Sequence, residues 1–160
     1  MICKYENNYI IFNKKKLRLK SLINSLNIKI TNSLKELVPM YDQIKEFCIV
    51  NRFLDYIRYD VNLIIEELVT NTISYGYIDE NVHEIEIKLV LKDDSLYVDI
   101  INDADTFNPL NHPDPDFSVP SNQRQPGGLG IYFAKILADE ISYNRKDEHN
   151  YISFKKSLKK

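Results

Sequence analysis

The chain has 160 residues, 44% hydrophobic, 28% charged and 11% aromatic, with a net charge of −2 at pH 7. That suits one domain with its own core and leaves no electrostatic footprint for nucleic acid. No run of about 18 uncharged apolar residues could cross a membrane, and residues 1–8 hold no apolar run followed by a cleavage site, so a cytoplasmic protein is expected.

Residues 1–25 read as a basic N-terminal extension or strand, and residues 26–160 as a single domain. Within the extension, Tyr9–Phe12 suits either a short strand or irregular chain. The basic clusters Lys14–Lys16 with Arg18 and Lys20, and Lys155–Lys156 with Lys159–Lys160, read as solvated surface or tail. Cys3 and Cys48 lack metal-ligand spacing and are expected as reduced thiols, Cys48 on an apolar helix face.

From Leu26 to Ile30 apolar residues alternate, which predicts a half-buried strand. Thr31, Asn32 and Ser33 offer caps for a helix to about Asn51, and Glu36 stands at capping-box spacing from Ser33. Pro39 would then fall in the second turn, shifting or kinking the start. A second helix is predicted from about Leu54 to Tyr75, with Val61, Ile64, Ile65, Leu68 and Thr72 as its buried stripe and Gly76 to end it. Glu84–Leu91 and Ser95–Ile101 alternate around Lys92-Asp93-Asp94, the pattern of a hairpin. Asn102–Pro126 reads as a long loop, functional or disordered, before the apolar helix Ile131–Ala138. Ile141–Tyr143 and Tyr151–Phe154 form a last hairpin, turning at Asp147–Asn150. Helices on one face of a mainly antiparallel sheet make an α+β fold.

Two features carry chemistry. Glu67 and Asn71 are one helical turn apart, on the flank of the apolar stripe. A carboxylate beside a carboxamide can orient a water and hold a hard cation through oxygen; such a pair is also what a solvated helix face looks like. Gly127, Gly128 and Gly130 are three of only four glycines, set directly before a helix. There the backbone can approach an anion and present unpaired N–H groups, unless the glycines only serve a tight connection at positive φ. No Lys-Ser/Thr follows, so this is not a P-loop, and the preceding segment is loop, so it is not a dinucleotide fingerprint. His83, His112 and His149 are dispersed, suggest no metal site and are expected to be exposed. Pro113-Asp114-Pro115-Asp116 reads as a stiff acidic segment rather than a cation site.

In this order, the runs Glu66–Tyr77, Asn102–Leu110 and Pro126–Ile131 resemble the GHKL ATPases, and within them the anti-sigma-factor serine/threonine kinases, over roughly Leu26–Leu158. The resemblance implies a two-layer α/β sandwich of the Bergerat type that binds ATP and Mg2+. It implies Glu67 as general base, Asn71 as magnesium ligand, and the Gly127-Gly128-Leu129-Gly130 turn along the phosphates, Gly128 and Gly130 acting through backbone N–H groups. Arg124 would reach the same phosphates or be an ordinary exposed arginine. The middle segment departs from the pattern Asp-x-Gly: aligned on Phe107, this chain has Asn102-Asp103-Ala104. Either the Asn102 carbonyl accepts the adenine amino hydrogen bond, or Asp103 does so after a one-residue shift.

The implied function is a kinase that binds a sigma factor and phosphorylates a STAS-type anti-anti-sigma partner on a hydroxyl. A homodimer is left open. The alternative is a nucleotide-dependent regulatory binding module without significant kinase activity; a plain scaffold would make three ordered motifs a coincidence. Histidine-kinase activity is not expected, because no phospho-acceptor helix domain precedes the ATPase region.

Overall fold

The computed structural model describes residues 3–5, 8–10, 24–118 and 128–159. Strand β1 (Cys3–Tyr5) pairs antiparallel with β2 (Asn8–Ile10), so the short early strand covers part of the expected Tyr9–Phe12. Residues 11–12 and the first basic cluster lie outside the described residues.

The alternating segments form one sheet. Its strands are β3 (Ser25–Thr31), β4 (Glu84–Lys92), β5 (Ser95–Asn102), β6 (Glu140–Lys146) and β7 (His149–Ser157). They pair antiparallel in the order β3-β4-β5-β7-β6. Period two puts one set of side chains on the dry face, and the register stacks them into rows. One row runs Leu26, Leu89, Val98, Phe154; the next runs Ile28, Ile87, Ile100, Ile152. All eight are buried. The next row begins with Ile30 and Ile85 and then turns polar, at Asn102, Asn150 and Arg145. The outer face is polar, with cross-strand partners such as Lys29 and Glu84.

Both hairpins are tighter than the sequence implied. Asp93–Asp94 and Asp147–Glu148 have φ of 50°, 57°, 48° and 63°, as two-residue turns of matching twist require. The expected turn residues His149 and Asn150 therefore belong to β7, because ladder pairing continues to Lys146↔His149.

Helix α1 (Leu37–Val50) starts later than expected. Thr31 ends β3, and Asn32 exchanges backbone and side-chain hydrogen bonds with His83, extending the β3–β4 pairing. Ser33 Oγ caps a 3-10 turn, Leu34–Glu36, accepting from Lys35 N, and Pro39 falls in the first turn of α1, where its missing N–H costs nothing. The Ser33–Glu36 capping box does not form: Glu36 makes no side-chain cap bond. Arg52, at φ 59°, closes α1, with Arg52 N–H on Ile49 O and Phe53 N–H on Cys48 O.

Helix α2 (Asp55–Tyr75) matches its expected span. Its stripe Val61, Ile64, Ile65 and Leu68 packs on the dry face with Phe47, Ile44 and Cys48 of α1; Thr72, expected in the same stripe, is only half-buried and bonds back to Leu68 O. Helix α3 (Leu129–Leu137) starts two residues earlier than expected and adds Ile131 and Ala134. Two layers, three helices on one face of an antiparallel sheet, is the α+β sandwich. No helix among the described residues is long and apolar enough to cross a membrane.

Ile64 is fully buried on α2. Ile64→Ala should therefore lower stability by about 2–5 kcal/mol, read as a lower urea midpoint with an unchanged slope.

Candidate functional site

The polar end of the sheet opens into a cavity of about 530 Å³, within the range of small-molecule sites. Asn71, Thr72, Tyr75 and Gly76 of the α2 end form one wall. The segment Ala104–Phe107 forms another, Asn102, Asn150 and Ile152 form the floor, and Gly128, Ile131 and His112 close the third side.

The floor is held by Asn150. Its Nδ2 donates to Asn102 Oδ1 (3.0 Å), Ala104 O (3.0 Å) and Asp105 O (3.2 Å). Its Oδ1 accepts from Tyr143 Oη (2.7 Å) and from an Arg145 guanidinium N–H (2.9 Å), and that same nitrogen donates to Ala104 O (3.0 Å). Asn102 Oδ1 also accepts the Ala104 N–H at 3.2 Å. The carbonyl expected to accept from adenine is thus already engaged twice. Asp103, the other expected acceptor, does not line the cavity; its carboxylate turns away to His83 Nδ1 at 3.0 Å. The Ala104 methyl is buried beside Gly76, where an added β-carbon would stand 2.9 Å from it and 2.6 Å from Thr72 O. An alanine is tolerated at position 104 because position 76 is glycine. Gly76 itself ends α2 at φ −87°, so it serves close packing rather than a left-handed cap.

At the opposite end Gly128 takes φ 78°, which a residue with a β-carbon resists. Among the described residues no side chain caps the first turn of α3, so its first N–H groups have no partner within the helix, the arrangement in which helix starts can receive an anion. Gly130 is inside that turn and meets α2: a β-carbon there would fall 1.8 Å from Glu67 Oε2. Glu67 is not among the cavity-lining residues but sits where α2 and α3 touch, one turn before Asn71. Partial burial, and next the Glu66 charge, raise the Glu67 carboxyl above its ordinary value. Asn71 Nδ2 donates to Glu67 O at 2.7 Å, which leaves the carboxamide oxygen for a hard cation. Among the described residues no group of three His, Cys, Asp or Glu could hold a metal. The Asn71 carboxamide oxygen is a hard donor of the kind Mg2+ accepts.

Of the other expected residues, Phe107 is a half-exposed wall of the cavity, and Leu129 opens α3 with an exposed side chain, leaving only its N–H to contribute. Arg124 and Gly127 lie outside the described residues. Two histidines are not the exposed loop residues expected. His83 is mostly covered: its ring stacks on Tyr77 (centroids 4.4 Å apart) and bridges Asp79 at 2.8 Å and Asp103. His112 lies against Gly128, where an added β-carbon would be 2.4 Å from its Cε1. Lys135 Nζ ties this segment to α3, donating to His112 O and to Asp114. Asn150, Tyr143 and Arg145 were missed. Stepping back by two from Ile152 puts Asn150 on the inward face, a signal the sequence does contain.

A glycine-started helix beside a helix-borne carboxylate and carboxamide, over a polar-floored cavity, defines a nucleotide-binding two-layer sandwich. The chain belongs to the histidine kinase-like ATPase domain family, whose model matches residues 30–156. It is 30% identical over 88 residues to the serine-protein kinase RsbW of Bacillus velezensis, 51% of this chain and 54% of that protein. A solved structure of the RsbU and RsbW domains of a Mycobacterium tuberculosis protein superposes with a TM-score of 0.60 at 15% identity, over 84% of this chain and 32% of that one, a likeness of fold. The chain thus spans about half the length of the curated relative and about a third of the solved chain.

Two expectations follow. Gly130→Ala should destabilise the fold while Glu67 is present, and Gly130→Ala with Glu67→Ala should recover at least about 1 kcal/mol of that loss; denaturant melts of the four members of the cycle decide it. His83 is raised above the ordinary 6.5 by its hydrogen bonds to Asp103 and then Asp79. Its stabilising contribution is full below pH 6.5 and fades as pH rises through the raised value. Melting curves from pH 5 to 9 should show the gap between the wild type and His83→Phe closing at the alkaline end.

Proposed function

We propose that this domain is an ATP-dependent protein kinase that phosphorylates a serine or threonine hydroxyl on a STAS-type anti-anti-sigma partner, and that it also binds a sigma factor. Family membership and the partial likeness to a serine-protein kinase support this reading. The observation that carries it is the placement of Glu67 against Gly130, in the first turn of a helix that Gly128 opens at φ 78°.

In this reading bound ATP supplies the phosphoryl group and Mg2+ offsets charge on the phosphate oxygens. Gly128 and the first N–H groups of α3 cradle the phosphates, with Gly127, Leu129, Gly130 and Arg124 along the same turn. Asn71 offers its carboxamide oxygen to the metal. Asn102, Ala104 and Phe107 contact the base; Asp103, facing His83, holds their loop. Glu67 accepts the proton of the incoming hydroxyl, and its raised carboxyl is a stronger base for that step. The occupied carbonyl of Asn102 favours, as a second reading, a nucleotide-dependent binding module without significant transfer.

Labelled ATP, Mg2+ and STAS proteins of the same genome provide the test. Label should appear on a partner hydroxyl and fall by about 10²-fold or more with Glu67→Gln, while the affinity for Mg-nucleotide stays near wild type. Binding without transfer to any partner would select the module instead. Full labelling by Glu67→Gln would remove Glu67 from the role of base.

A further inference from the structure

His112 stands at the start of α3 with its ring laid on Gly128. A β-carbon at position 128 would be 2.4 Å from the imidazole Cε1 and 3.4 Å from Nε2, so the glycine makes room for the ring. The segment that carries the ring is anchored twice. His112 N–H donates to Pro109 O at 3.1 Å, and Lys135 Nζ of α3 donates to His112 O at 2.8 Å. Nδ1 lies 2.9 Å from Pro113 O. A carbonyl oxygen can only accept, so Nδ1 carries a hydrogen whether the ring is neutral or charged. Nε2 makes no hydrogen bond to any described residue. It is therefore the nitrogen that gains or loses the proton, beside the glycine that opens α3.

Among the described residues that line the cavity there is no lysine or arginine, and the one carboxylate is that of Asp105. His112 is the one described lining side chain able to take a positive charge. The magnesium complex of a nucleoside triphosphate is still an anion, and a charge leaves water at lower cost where it meets an opposite one. A neutral Nε2 sets a lone pair against phosphate oxygens, whereas a protonated Nε2 donates a charge-assisted hydrogen bond to them. The charged groups packed on His112 offset each other, because Lys135 pairs with Asp114 at 2.7 Å. Asp105 and Tyr75 are the other titratable residues lining the cavity, and Glu67 lies at the contact of α2 and α3.

We propose that His112 binds the phosphate chain of the nucleotide through a protonated Nε2, taking one proton from solvent as the nucleotide enters. The inference rests on the nucleotide-site reading above and adds a residue that lies outside the three motifs. Protonation and binding then favour each other. Affinity is highest where the ring is charged and falls as pH rises through the range in which histidine titrates, about pH 5 to 8.

The test is calorimetric titration of the full chain with the magnesium complex of ATP, at about pH 6 and about pH 8 and in buffers of different ionisation heat. It is repeated on His112→Gln, which keeps a neutral donor of similar reach and cannot titrate. The wild type should bind more tightly at the lower pH by roughly fivefold or more, the scale set by one nearby opposite charge, and should take up a proton. His112→Gln should lose both the pH dependence and the uptake. Imidazole nitrogen spectra of the wild type, which has three histidines, give the same answer without a variant: His112 Nε2 should become protonated on saturation with nucleotide. An Nε2 that stays unprotonated in the complex overturns the inference and leaves the nucleotide site standing. So does proton uptake that persists in His112→Gln, which places the proton on another group such as Asp105 or Glu67. Failure of the wild type to bind overturns the nucleotide-site reading itself, and the role of His112 with it.

Discussion

Where β5 ends, the chain leaves the sheet, and the Asn150 carboxamide gathers it by hydrogen bonds to Asn102, Ala104 and Asp105. The rest of the site depends on this point. Arg145 and Tyr143 complete the network from β6, so a buried polar cluster has its acceptors matched to donors. In a low-dielectric interior such a cluster is rigid when satisfied and costly when broken. Loss of one member would leave a buried group unpaired, a penalty of about 1–3 kcal/mol. The segment Ala104–Phe107 is thereby held as a wall rather than left as a loose loop.

The opposite end of the cavity is built by the removal of atoms. Gly128 accepts a left-handed backbone so that α3 can begin abruptly, and Gly130 lets α3 approach the Glu67 carboxylate. With a β-carbon at position 130 the Glu67 carboxylate would have to leave its present place. Partial burial at this junction, with the Glu66 charge second, raises the Glu67 carboxyl above its ordinary value. His112 and Lys135 add a second tie between α3 and the segment after Phe107.

Polar residues on the inward face occur where the apolar rows stop. Asn102 and Asn150 occupy the cavity end, while Lys156, inward at the other end of β7, pairs with Asp60 at 2.7 Å and donates to Leu137 O. Each lies in strand register with the core and takes part in hydrogen bonds. The sheet is one continuous pattern in which the core and the floor of the site differ only in side-chain chemistry.

Alternation and helical period by themselves determined the strands, the span of α2 and its buried stripe, because burial on one face imposes those periods wherever the chain is regular. They also contained the inward placement of Asn102, two residues beyond Ile100, although the proline-rich composition that follows suggests an early loop. The glycine run marked the start of α3, since its requirement is local backbone geometry. Only tertiary structure decided that Asp103 faces His83, that Gly130 meets Glu67, and that Asn102 spends its oxygen on Asn150. Each of these depends on a partner far along the chain, at Asn150, Glu67 or His83. A hydrogen-bond direction is set by both of its ends, and a one-dimensional pattern records only one.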